Sequence, residues 1–295
     1  AIVCWGVFYG SYLTSTYRTL NHFVTLSRIE IVQTILNFGM VFLLPFLKFY
    51  GLCTRAAFPS FLAVLLFHRK RPLKVRYHLD IQALKEVIKI GLPFGMWGAI
   101  YTTGWFATES ALILSLDGVV ALGLFSVAYA VRSALDSLPV AIWKVITPRV
   151  VASFAQEGSI RKANARIIGV TAVLAGFMAI VACAGSFLLD TFVPLLIPKY
   201  VEGIPVMKVC LWFPVVQAAY LPINNLFAMG KPWIFGRGII VGVLVFAAAT
   251  WLLLPQIGGL LAVTAGSLLG RTTRTLTAYV DLIVLARRES SYSRK

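Results

Sequence analysis

IKIGLPFGMWGAIYTTGWFATESALILSLDGVVALGLFSVAYAVRSALDSLPVAIWKVITPRV, residues 88–150, decides the architecture. It holds two apolar runs, 89–113 and 119–142. Each matches the ~20 residues a helix needs to cross the hydrocarbon core of a bilayer. Pro93 lies in the first run between Gly91 and Gly95 and predicts a loosened or kinked span, tolerated where neighbours satisfy the freed carbonyls. The second run is predicted to continue into the cytoplasm.

Further apolar segments lie on both sides: 1–16 (partial), 30–47, 52–67, 166–189, 204–228, 235–254 and 259–285. The chain therefore reads as eight to nine transmembrane helices. Its composition agrees. Of 295 residues, 59% are hydrophobic and 13% charged, with a mean hydropathy of +0.84. Soluble domains carry about 25% charged residues. The net charge of +16 is explained without nucleic acid, because cytoplasmic loops of membrane proteins collect Lys and Arg.

The basic residues also set the orientation. With the loop after the first segment inside, alternate loops hold 20 of the 27 Lys and Arg, from Arg18 to the tail at Lys295. The opposite loops hold Lys48, Arg55 and Lys199. The bias predicts a cytoplasmic C-terminus. The chain opens inside an apolar stretch, AIVCWGVFYGSYL, which reads as the second half of a span and implies that further helices precede it. In the longest basic loop, Asp80 is a predicted N-cap. After it, Ile81, Leu84, Val87 and Ile88 form an apolar stripe opposite Gln82, Lys85, Glu86 and Lys89. That pattern reads as an interfacial helix, acting as a hinge or as an anchor at anionic headgroups.

Charges inside the apolar segments are the candidate functional residues, because each costs at least ~2.5 kcal/mol in hydrocarbon. Arg271 and Arg274 lie in GGLLAVTAGSLLGRTTRTLTAYVDLIVLARR, residues 258–288. Counted from Gly259, they lie about 18 and 22 Å into a core of about 30 Å. They share one helix face at i and i+3. One reading is a cationic site for a phosphate-bearing substrate, since guanidinium matches phosphate oxygens in bidentate fashion. The other is snorkelling to the headgroups. Arg132 and Asp136, at i and i+4, suit a structural ion pair or a substrate or gate contact. Glu109 is either a coupling site or an anchor for an arginine of a neighbouring helix. Thr102, Thr103, Gln217, Asn224 and Asn225 suit hydrogen bonds to a cargo in a cavity or between helices.

Other chemistry is unsupported by motif. Cys4, Cys53, Cys183 and Cys210 have no CxxC spacing, and no metal-ligand pattern is present. No Walker loop, GxSxG or HExxH occurs. The chain reads as a non-enzyme with no cofactor and no metal.

Pro93, Glu109, a turn at Gly118, then Gly123, Phe125, Ser126, Ala128 and Tyr129, and Pro148 follow one another along the chain. With these motifs the sequence from Leu84 onward resembles the polysaccharide flippases of the multidrug/oligosaccharidyl-lipid/polysaccharide exporter superfamily. LPINNLFAMGKPW, with Asn224, Asn225, Gly230 and Lys231, is similar to the family's tenth helix. Two positions depart from the family pattern: Glu109-Ser110 stands for Asp-Arg, and Phe125 for Tyr.

The resemblance implies an all-α, polytopic, MATE-like two-lobe helical bundle with eight to nine of twelve helices present. Residues 1–70 would be the N-lobe remnant, 71–88 a cytoplasmic linker, 89–286 the C-lobe and 287–295 a cytoplasmic tail. It implies a flippase of polyprenyl-diphosphate-linked oligosaccharide in the bacterial inner membrane, with Arg271, Arg274 and Arg132 holding the anionic head. Glu109 and Asp136 would couple or gate. The partners implied are the lipid-linked oligosaccharide, the bilayer and other polysaccharide-assembly membrane proteins, without nucleic acid. The rivals are a cation-coupled multidrug exporter, a lipid-linked peptidoglycan precursor flippase and, more distantly, a membrane-embedded polysaccharide polymerase or ligase.

Overall fold

A computed structural model describes residues 2–20, 22–40, 44–73, 80–157, 160–224 and 232–292 of the chain. Every regular element among them is helical. The chain divides into two compact units, Ala1–Leu79 and Asp80–Lys295.

The first unit consists of α1 (Ile2–Thr19), α2 (Phe23–Gly39) and α3 (Leu44–Arg69). Its core joins Leu13 and Tyr17 of α1, Leu26 and Ile29 of α2, and Ala63, Val64 and Phe67 of α3. The Tyr17 hydroxyl donates to the Phe67 carbonyl at 3.0 Å, so the one polar atom of that ring is satisfied in an apolar core. Phe8, Phe38, Phe46 and Tyr50 face outward, as suits helices solvated by lipid. The helix limits differ from the apolar segmentation. Positions 48 and 55, assigned to an outer loop, lie within α3. A basic residue interrupts a hydropathy run without interrupting a helix, because Lys and Arg propagate helix well.

The second unit opens with α4 (Ile81–Ala99). The Asp80 carboxylate accepts from the backbone amides of Gln82 and Ala83 at 2.9 and 3.2 Å, so the expected N-cap is present. The helix runs through Pro93. The irregularity comes later, in a π-turn at Ile100–Gly104, where the Trp105 amide donates five residues back to the Ile100 carbonyl. Then α5 (Trp105–Glu157) reverses at Gly118, with φ 80° and ψ −169°. That backbone region is open essentially to glycine alone. The reversal makes a hairpin: Phe106 meets Tyr129 with ring centroids 4.5 Å apart.

After α6 (Ile160–Leu196) comes a 3-10 turn, Pro198–Gly203. The predicted span 204–228 is then divided into α7 (Ile204–Cys210), α8 (Phe213–Ala219) and a 3-10 turn, Leu221–Asn224. Pro205, Pro214 and Pro222 each stand at or near the start of a piece, where proline's missing N–H costs nothing. Finally α9 (Pro232–Ile257) and α10 (Gly259–Tyr292) pack as a hairpin about Gly258, φ 79°. Their backbones approach closely at glycine. A Cβ on Gly242 would sit 2.8 Å from the Gly270 carbonyl oxygen, and one on Gly270 2.5 Å from that of Gly242. Small residues at such contacts are the usual means of packing helices in lipid.

Gly91–Thr147, Ile167–Leu196, Pro198–Ala219 and Pro232–Ile257 are long and apolar enough to cross a membrane. At 1.5 Å per residue the first, 57 residues long, would measure about 85 Å if straight. The Gly118 reversal turns it into two spans. The protein is an all-helical, polytopic membrane protein.

Candidate functional site

The buried charges predicted from sequence converge in the second unit. Glu109 sits on α5 before the Gly118 reversal, one turn along from Trp105. Arg132 and Asp136 lie on the returning arm. Arg271 and Arg274 lie on α10, on the face that also carries Ser267. The hairpin of α5 and the α9–α10 hairpin therefore bring Glu109 together with residues 158 and 162 positions away.

Glu109 is the hub and is 1% exposed. Its Oε1 accepts a hydrogen bond from Ser267 Oγ and lies 3.4 Å from Arg271 Nη2. Its Oε2 lies 3.8 Å from Arg132 Nη1. Ser267 in turn accepts from Trp105 Nε1 at 2.9 Å. Arg132 Nε reaches Asp136 Oδ2 at 3.4 Å. Arg271 Nη1 donates to the Tyr101 hydroxyl at 3.0 Å.

Aromatic rings complete the enclosure. Arg132 lies over Phe213 of α8 at 3.8 Å. Arg271 is 5.0 Å from both Tyr101 and Trp105. Arg274 is held between Tyr101 at 3.5 Å and Tyr220 at 3.8 Å. Desolvated cation–π contacts of this kind are worth ~2 kcal/mol each.

The charges do not balance. Three guanidinium groups face two carboxylates, and Arg274 has no acidic partner among the described residues. Its Nε and Nη1 are buried without a hydrogen-bond partner, and the residue is 2% exposed. Among the described residues, the surplus cation is stabilised by ring faces. Snorkelling is thus not what these arginines do: both α10 guanidinium groups point into protein. In this conformation Arg274 is covered by Tyr101 and Tyr220, and Arg271 by Tyr101 and Trp105.

Other sequence candidates fall outside the cluster. Thr102 is exposed, and its hydroxyl donates to the Gly98 carbonyl at 2.9 Å. Gln217 is half-buried on α8, four residues after Phe213. The side chain of Asn224 and all of Asn225 lie outside the described residues. Sequence reasoning missed Tyr101, Trp105, Phe213, Tyr220 and Ser267. Two carried a signal: Trp105 is four residues before Glu109, and Ser267 four before Arg271, the spacing of neighbours on a helix face. Among the described residues, no three His, Cys, Asp or Glu side chains gather where they could hold a metal ion.

No protein-family model matches the sequence, and no curated protein sequence matches it significantly. Solved structures do. A crystal structure of MATE in the bent conformation is similar with a TM-score of 0.70 at 11% identity, over 90% of this chain and 62% of that one. The crystal structure of a MATE mutant gives 0.69 at 13%, over 90% and 62%. The Vibrio cholerae MATE transporter VcmN in the bent form gives 0.71 at 16%, over 97% and 68%. The chain has the MATE fold, and it spans less than two thirds of the first two of these structures.

Proposed function

We propose that this chain serves in a membrane exporter of the multidrug/oligosaccharidyl-lipid/polysaccharide superfamily, and that its cargo is an anionic lipid-linked head group, a polyprenyl-diphosphate-linked oligosaccharide. Its fold supports the exporter half of the reading. One observation carries the cargo half: the buried cluster of the second unit has one guanidinium too many, on Arg274, screened by two tyrosine rings and by no carboxylate among the described residues. A cavity built for cationic drugs would leave a buried acid unpaired. Here Glu109 already faces Arg132 and Arg271. The diphosphate would bring the missing negative charge, and guanidinium keeps its own charge at every physiological pH.

On this reading Arg271 and Arg274, with Arg132, bind the head group. Glu109 and Asp136 hold the arginines apart and in place between transport cycles. Residues 1–70 belong to an N-lobe and 89–286 to a C-lobe, joined by 71–88, and rocking of the lobes exposes the site alternately to the two sides. The protein works in the bacterial inner membrane with its C-terminus, 287–295, inside.

Calorimetric titration of the purified full chain with inorganic pyrophosphate, and separately with tetraphenylphosphonium, tests the charge of the cargo. Binding of pyrophosphate that Arg274→Ala abolishes is expected. Binding of tetraphenylphosphonium alone would replace this reading with a cation exporter.

A further inference from the structure

Tyr101 covers both arginines at once, and it stands on the π-turn at Ile100–Gly104. A π-turn holds one residue more than an α-turn needs, and such turns gather at functional sites. The spare residue can be passed along a helix. If the turn moves toward the N-terminus, the residues it crosses rotate by about 100° and shift by about 1.5 Å.

The helix before Tyr101 is built to receive it. Pro93 has no N–H, so the Lys89 carbonyl already lacks its helical donor. Nothing stands within 4 Å of a Cβ placed on Gly91, Gly95 or Gly98, whereas Trp97 is seated on Gly236 of α9 and must leave it as the turn passes. Thr102, Thr103 and Gly104 are exposed, and the turn is tied to the rest of the unit through Tyr101, which meets Arg271, Arg274 and Trp105. The Thr102 hydroxyl donates to the Gly98 carbonyl, the bond that Ser and Thr make four residues back in helices, and it ties the turn to the helix before it.

We infer that Tyr101 is the gate over Arg271 and Arg274, and that migration of the π-turn from 100–104 toward Pro93 swings it open. The inference rests on the reading above only for its purpose, which is to bare the arginines to an anionic head. Closed, the ring satisfies the surplus charge of Arg274 and the Nη1 group of Arg271. Open, it yields both guanidinium groups to a ligand whose charge offsets their exposure. Tyr101 is therefore a positioning residue. Tyr220, the other face of the sandwich, stands between α8 and the separate 3-10 segment that follows it and is the fixed wall.

Modification by phenylglyoxal, read residue by residue by mass spectrometry of the full chain, tests this without any substrate. Exposed Arg69 is the internal reference. The wild type should modify at Arg274 much more slowly than at Arg69. Tyr101→Ala should raise the Arg274 rate roughly tenfold, as for a lid removed. Thr102→Ala, which touches neither arginine, should raise it severalfold by removing the hydroxyl bond that ties the turn to Gly98. Deletion of Thr103 removes the spare residue while keeping Tyr101 in its closed register, and should lower the rate below wild type. An Arg274 rate unchanged by Tyr101→Ala, or unchanged by Thr102→Ala in protein that remains monodisperse, overturns the gate. That failure would leave pyrophosphate binding by the arginines intact. Loss of pyrophosphate binding with these rates as expected would leave a gate over a site for another ligand.

Discussion

Glu109 Oε1 and Arg271 Nη2 lie 3.4 Å apart, although 162 residues of chain separate them. The pair ties the first arm of α5 to α10, and Arg132 closes the same carboxylate from the returning arm. Removing one partner of a buried charge group leaves the others uncompensated, at a cost of about 3–5 kcal/mol. Glu109→Gln should therefore lower the melting temperature of the purified chain sharply, while Arg132→Gln combined with it should cost less than the sum of the two. Additive losses in that double-mutant cycle would mean that the three side chains do not act as one unit.

Arg132 and Asp136 invite a charge swap, because an i, i+4 pair tolerates either member as the acid. Here the swap should fail. A carboxylate at position 132 would face Glu109, whose Oε2 lies 3.8 Å from the present Nη1. Arg132→Asp/Asp136→Arg should remain as inactive in transport as the worse single variant. Recovery of transport in the swap would show that the helix pair matters and the contact with Glu109 does not.

The Gly118 reversal gives a cleaner stability test. A Cβ there meets nothing within 4 Å, so the cost of Gly118→Ala comes from φ 80° alone and should be about 1–3 kcal/mol. Gly123 also has open space around it, but it is helical. Gly123→Ala should be neutral or stabilising by up to about 1 kcal/mol. Equal melting temperatures for the two variants would remove the backbone argument.

The two reversals are clasped to each other. The Asp117 carboxylate accepts from the Leu260 backbone amide at the start of α10, a capping contact made from another helix. Asp117→Ala should cost about 1 kcal/mol and speed amide exchange at Leu260 and its neighbours. Unchanged exchange there would place the clasp among contacts without consequence.

The helical membrane fold was legible in the sequence because hydropathy runs report burial in lipid directly. The charged positions Glu109, Arg132, Asp136, Arg271 and Arg274 were legible because a charge in an apolar run is conspicuous. What surrounds them was not. Tyr101 and Tyr220 look like any interfacial tyrosine until tertiary packing sets one on each face of Arg274. The division of 204–228 was hidden because proline at a helix start and proline within a membrane helix look alike in sequence. The π-turn was hidden for a similar reason: Ile100, Thr102 and Thr103 are β-branched residues that membrane helices also carry. Pro93 drew attention to the right helix, seven residues before the irregularity that matters.

Surface polysaccharide is the direct readout of the account. A bacterial strain lacking its own polysaccharide flippase would carry the complete gene, either wild type or Arg271→Ala/Arg274→Ala, at matched expression. The account predicts that the wild type restores surface polysaccharide and the double variant does not. Restoration by both would contradict it, because the arginine pair would then not be where the anionic head group binds.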